Sequence, residues 1–220
     1  MFTSCLTYDD LPSVISVFPL RNALLLPQGL LPLNIFEERY IRMVKDAMES
    51  NRFIGVIQPD EMARANGDVE AILKTGCVGR ITQFEETDDN RYLITLKGLI
   101  RFEITSEINN ILPYRQANVN WKPFEDDIVE DCDSLIIDRL YFIPLLKKYM
   151  ELHQLSCDWD QVEAAPCETL VTTLPMILPF ESQDKQMILE TKTLDKRYEV
   201  LSSLIEISLK SNSENMTIKH

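Results

Sequence analysis

The sequence predicts an α+β fold: a barrel-like β unit with one inserted helix over residues 1–122, then an α-helical bundle over residues 123–220. Three observations predict it. Between Val14 and Trp121 the apolar residues come in short alternating or continuous runs separated by Gly, Pro, Asn and Asp, as strands and tight connections require. Inside that stretch, one segment near Glu37–Ser50 changes to helical spacing. Beyond Pro123 the helical period returns and persists to the C-terminal region.

Val14–Pro19 alternates and is rich in β-branched residues, which fits a half-buried strand. Asn22–Phe36 follows as an uncharged, proline-punctuated apolar segment. Phe36, Tyr40, Met43, Val44 and Ala47 then form one apolar stripe, and Glu37 and Glu38 sit in the first turn, where the helix dipole favours acids. This spacing predicts that Phe36 and Tyr40 both anchor the core. Phe53–Gln58 is a short apolar strand stopped by Pro59 and Asp60. Asp60–Thr75 is polar, with a turn signal at Asn66-Gly67-Asp68. Cys77–Glu85 and Arg91–Arg101 predict two strands of a hairpin around Thr87–Asn90, with Phe102–Ile108 continuing or pairing beside them. Gly76, Gly79 and Gly98 mark bulges or close backbone approach. Tyr114–Trp121 is the last strand.

In the second half, an acidic run (Glu125–Asp133) precedes a helical stretch over Leu135–His153, which Pro144 should kink or divide. Pro166 starts a helix running toward Leu174. Ser182 caps one over Gln183–Glu190, and Thr193 caps the last, with a stripe of Leu194, Tyr198, Leu201, Ile205 and Leu209. The tail from Ser211 is expected to fray. Trp121 and Trp159 flank the junction between the halves and are expected to pack there.

The net charge of −13 disfavours nucleic acid and anionic membrane surfaces, because long-range repulsion opposes both. Residues 1–120 hold 16 acids against 12 bases and residues 121–220 hold 19 against 10, so the second half is the more acidic. No window is long and apolar enough for a membrane span, and the N-terminus has no secretory pattern. Five cysteines without paired spacing (Cys5, Cys77, Cys132, Cys157 and Cys167) point to free thiols in a reducing cytoplasm.

Chemistry was sought in the sequence motifs. CxxC, HExxH and EF-hand patterns are absent, as are GxGxxG, GxxxxGK[ST] and GxSxG. His153 lies at a helix end, where a surface position is expected, and His220 is terminal. Cys157 and Cys167 are spaced from His153 unlike any standard zinc site. Glu85, Glu86, Asp88 and Asp89 sit at a hairpin tip, the default place for solvated charge. The expectation is therefore no enzyme activity, no metal and no cofactor.

The uncharged segment suggests recognition of polypeptide instead. Leu24, Leu25, Leu26, Pro27, Leu30, Leu31 and Pro32 are the candidate surface, able to accept an extended apolar segment. The alternative is that these leucines close the barrel or pack against the helical half.

VFPLRNALLLPQGLLPLNIFEERY, followed by FIGVIQPD, GCVGRITQFEETDDNRYLITLKGLIRFEI and PYR, closely resembles the N-terminal substrate-binding domain of the Lon ATP-dependent protease. The helical half, with ILPFESQDKQMILETKTLDKRYEVLSSLIEISL, is similar to the family's closing helices, so the resemblance runs from about Val14 to Leu209. It implies a PUA-like β pseudobarrel followed by a helical bundle. It also implies a non-catalytic, bacterial, stand-alone module without ATPase or protease parts. Such a module would bind unfolded or partly folded polypeptides and act as an adaptor to an AAA+ protease or chaperone. RNA binding, which PUA-like folds often serve, is the alternative, with Arg21, Arg39, Arg42 and Arg52 as the nearby cations. A structural subunit of a larger assembly is a third reading.

Overall fold

Five strands close on themselves, and the sequence shows why. The computed structural model describes residues 7–128 and 135–217; Cys5, Cys132, His220 and the end of the acidic run lie outside them. β1 (Val14–Pro19) pairs in parallel with β3 (Phe53–Pro59) and antiparallel with β6 (Arg115–Asn120). β3 is buried along its whole length, which explains its unbroken apolar run: a strand covered on both faces has no polar side to show. It pairs with β4 (Ile72–Glu86), β4 with β5 (Tyr92–Ile108), and β5 returns to β6, closing the ring. Ile15, Val17, Phe53, Ile57, Val78, Ile100, Phe102 and Ala117 fill the barrel, and Trp121 and Phe124 plug it from a 3-10 turn at Lys122–Asp127.

β4 and β5 outrun the barrel. Their distal halves form a projecting hairpin that takes β2 (Leu30–Ile35) as a third strand, Leu31 opposite Leu96 and Leu33 opposite Ile94. β2 is thus an edge strand, the one place in a sheet where Pro32, lacking an N–H, is tolerated. A segment that looked like loop in sequence is therefore half strand. The pairing shifts at Val78/Gly79, the bulge expected of Gly79, and a Cβ at Gly98 would collide with the carbonyl of Leu26.

α1 (Glu38–Met48) lies outside the barrel with Tyr40, Met43, Val44 and Ala47 buried. Tyr40 packs on Phe18, ring centroids 4.3 Å apart. Phe36, one residue outside the helical stripe's reach, is instead 64% exposed, contrary to the expected core anchor. α2 (Glu61–Ala65) is one capped turn in the stretch expected to be loop, held by Asp60 accepting from Met62 and Ala63.

Five helices form the second half: α3 (Arg139–Leu152), α4 (Trp159–Ala164), α5 (Cys167–Ile177), α6 (Ser182–Glu190) and α7 (Leu194–Thr217). Pro144 stays within a continuous α3, where it faces solvent. α7 packs on α3, α5 and α6 and continues to Thr217, past the point where fraying was expected. The change from strands to helices falls in the 3-10 turn, yet the larger buried cluster crosses it. Leu24, Ile54, Val56 and Leu96 share that cluster with Phe142, Leu146, Leu174, Ile188 and Leu201. Trp121 and Trp159 do not meet at a junction, for Trp121 is inside the barrel and Trp159 packs on the bundle.

Polar clamps complete the seam. Arg101, 2% exposed, donates to the Asp127 carboxylate (2.7 and 2.8 Å) and to the carbonyls of Leu189, Thr191 and Lys192. The Gln58 amide donates to the Ser182 carbonyl and to Gln186, which donates to the carbonyl of Thr75.

Candidate functional site

The predicted leucine segment divides into a buried part and an open part. Leu24, Leu25 and Leu26 are at most 1% exposed and belong to the core shared by barrel and bundle, so they form no binding surface. The cause is the bundle, invisible to local pattern. The neighbouring Gly29 sits against the Met176 thioether of α5, so that a Cβ there would require Met176 to move. Lys185 of α6 donates its ammonium to the Asn22 carbonyl at 2.9 Å, and Ser182 bonds the Asn22 side chain. Bringing any of these leucines back into water would cost roughly 2 kcal/mol each. Pro27 and Leu31 are half-buried.

Leu30 and Pro32 are open, and the strand period puts them on one face with Asn34. Leu30 is 61% exposed. On the same face of β5 stands Leu93, about 40% exposed and opposite Asn34, and past the end of β2 stands Phe36; Phe84 of β4, equally exposed, lies on the other face against Tyr92. Pro32, Asn34, Gln83, Phe84, Glu85 and Leu93 border a shallow groove of about 530 Å³. The expected surface thus shrinks to Leu30 and Pro32 and gains Phe36 and Leu93, with Phe84 reaching the groove's border only from the opposite face. The hairpin signal around Thr87–Asn90 marked the last two, but nothing in sequence shows that β2 lies beside them.

A second, larger cavity of about 670 Å³ sits at one mouth of the barrel. Every barrel strand contributes an end residue to it: Pro19, Pro59, Ile72, Ile108 and Arg115. Four arginines line it, Arg21, Arg39, Arg64 and Arg115, with Glu70 and Glu107. Arg115 is fully engaged, bidentate to Glu107 and donating to the Glu70 carbonyl. Arg39 pairs with Glu37 and lies over the Tyr40 ring. The Arg21 Nε is 3.1 Å from Glu61 Oε1, but out of hydrogen-bond alignment. Arg64 has no ion pair among the described residues. Of the cations considered for RNA, only Arg21 and Arg39 meet here, since Arg42 is spent on Asp46.

Groups that often do chemistry are placed against it. Cys77 is fully buried, and loss of hydration pushes its thiol far above the ordinary range. Cys157 is exposed, its thiol also raised, and Cys167 is half-buried beside Arg139. His153 is not a plain surface residue: it stacks on Tyr149 and hydrogen-bonds Ser208 Oγ at 3.1 Å, tying α3 to α7. Among the described residues no three His, Cys, Asp or Glu side chains converge as metal ligands, and no helix is long and apolar enough to cross a membrane.

The model of the ATP-dependent protease La (LON) substrate-binding domain matches residues 14–206. Lon protease 2 of Myxococcus xanthus is 26% identical over 96% of the chain, and Lon protease of Dictyoglomus thermophilum is 32% identical over 50% of it. The chain spans about a quarter of the length of the first of these relatives and 14% of the second. In fold it is similar to the crystal structure of a Lon N-terminal domain protein from Xanthomonas campestris, with TM-score 0.59, 19% identity and coverage of 87% of this chain and 98% of that one. The N-terminal domain of the Mycobacterium avium complex Lon protease gives TM-score 0.60 at 15% identity, covering 88% and 98%.

Proposed function

The chain belongs to the LON substrate-binding domain family, and from that premise we propose that it is a non-catalytic module that binds other polypeptides along the outer edge of β2. The observation that carries this reading is an edge strand with Leu30 exposed on it, Phe36 exposed just past its end, and Leu93 exposed on the same face of the strand it pairs with. An edge strand offers unpaired N–H and C=O groups to a further strand, and those groups bind backbone irrespective of sequence. Alternate apolar side chains of the incoming segment then find the groove beside Pro32 and Leu93. Such recognition suits unfolded or partly folded clients, whose backbone is accessible. The module would hold them for an AAA+ protease or chaperone without altering them.

The test is fluorescence anisotropy with a labelled, permanently unfolded polypeptide. Wild-type protein should bind it saturably, and Leu30→Asp with Leu93→Asp should weaken binding at least about tenfold while circular dichroism stays native, because both positions face water. Equal binding by the double variant, or no saturable binding at all, would remove the edge as the site.

A further inference from the structure

The arginine-lined mouth of the barrel shares no bordering residue with the groove beside β2, so it calls for its own ligand. We propose that it binds a polypeptide segment in which acidic residues stand next to apolar ones. The carboxylates go to Arg21 and Arg64, and the apolar side chains go to Val69, Leu112 and the adjoining Ile111.

Charge complementarity selects the carboxylate. In a protein of net charge −13, one cavity gathers four arginines. Two of them are committed, Arg115 to Glu107 and Arg39 to Glu37, and these fix the shape of the wall. The other two are available. Arg64 has no ion pair among the described residues, and Arg21 meets Glu61 only in a misaligned, largely exposed contact of a kind that contributes little. A guanidinium presents a planar fork of donors that matches a carboxylate in two parallel hydrogen bonds.

The rim selects the apolar part. Val69, which borders the cavity, is 64% exposed, and Ile111, between the bordering Asn110 and Leu112, is fully so. A β-branched side chain held wholly in water at the tip of Asn109–Pro113 gains by being covered. A nucleic acid fits less well. Two uncommitted guanidiniums answer a pair of carboxylates rather than a phosphate at every nucleotide, the committed arginines are already neutralised, and no exposed aromatic ring borders the cavity for a base to stack on. The mouth of a barrel, ringed by five strand ends, is also a stiff frame, so little ordering entropy is lost on binding.

The test uses the full chain and anisotropy of three probes: a labelled peptide of alternating Asp and Leu, the same peptide with Asn for Asp, and a labelled single-stranded RNA. The Asp peptide should bind saturably and weaken with salt, and the Asn peptide should bind at least about tenfold less tightly. Arg21→Glu with Arg64→Glu should abolish the preference, as should the milder Arg21→Gln with Arg64→Gln. Glu61→Gln, which releases Arg21, should tighten binding. Equal affinity for both peptides, indifference to the arginine substitutions, or RNA displacing the Asp peptide would overturn the proposal. Because the arginine variants leave Leu30 and Leu93 in place, failure here is distinguishable from failure of the β2 edge, which is read with a neutral unfolded probe.

Discussion

Arg101 and Arg197 are both almost fully buried, on the same seam, and physics treats them oppositely. Arg101 spends its donors on Asp127 and on three carbonyls at the α6–α7 turn. Arg197, 3% exposed, has an Nε with no partner. Burial depresses its basicity to about 10, with the nearby Arg101 charge adding to the effect and Asp127 opposing it. A cation whose folded pKa is lowered costs stability at every pH below that value and is relieved only as pH rises through it. Arg101→Met should therefore destabilise by roughly 3–5 kcal/mol, since it strands a buried carboxylate, whereas Arg197→Met should leave stability unchanged or raise it. Urea denaturation at neutral pH distinguishes them, and a loss of similar size for both would show that Arg197 has a compensating partner.

Single elements show how far local sequence carries. The strand β3, the stripe of α1, the hairpin β4–β5 and the helices α5 to α7 were all legible, because period acts over a few residues. Of the two expected caps, Thr193 accepts from the Lys196 amide, whereas Ser182 is already the first residue of α6 and its hydroxyl goes to Asn22. β2 was not, for Pro32 in an uncharged run looks like loop until an edge position is known. Phe36 failed for a related reason: it continues the i, i+4 spacing, yet the helix starts at Glu38, so the stripe does not reach it. Half of the candidate site was visible in Leu30 and Pro32, while Leu93, Phe84 and the arginine mouth depend on which strand ends meet. Pro144 illustrates the reverse error, where a real local penalty is overridden. Phe142, Ile143 and Leu146 bury around it and keep α3 undivided through the missing hydrogen bond to Leu140. Pro144→Ala restores that bond at a solvent-facing position, so it should stabilise by about 1–3 kcal/mol, with a higher urea midpoint and an unchanged slope. No gain would mean that the lost proline rigidity offsets it.

Across the molecule, one buried cluster joins barrel and bundle, and that decides what the uncharged segment is for. Leu24–Leu26 is the mortar between the two halves, locked by Met176, Lys185 and Ser182, and the two surfaces proposed for recognition, the β2 edge and the barrel mouth, lie outside it. A sequence tells which residues avoid water but not which part of the chain covers them, so the seam and the surface looked alike. The division of labour is also mechanical. On the proposed reading, a stiff barrel with a clamped loop would present its open strand at low entropic cost, and polypeptide would bind without any part of the core opening.

Amide hydrogen exchange tests this most directly. On adding a saturating unfolded polypeptide, protection should rise at residues 30–36, where Pro32 alone has no amide to report, while residues 93–95, already paired on both sides, and residues 24–26 are slow and do not change. Protection that rises in the helical bundle instead, or exchange that quickens at Leu24–Leu26, would contradict the account, because the client would then be held by an opened seam rather than by the edge.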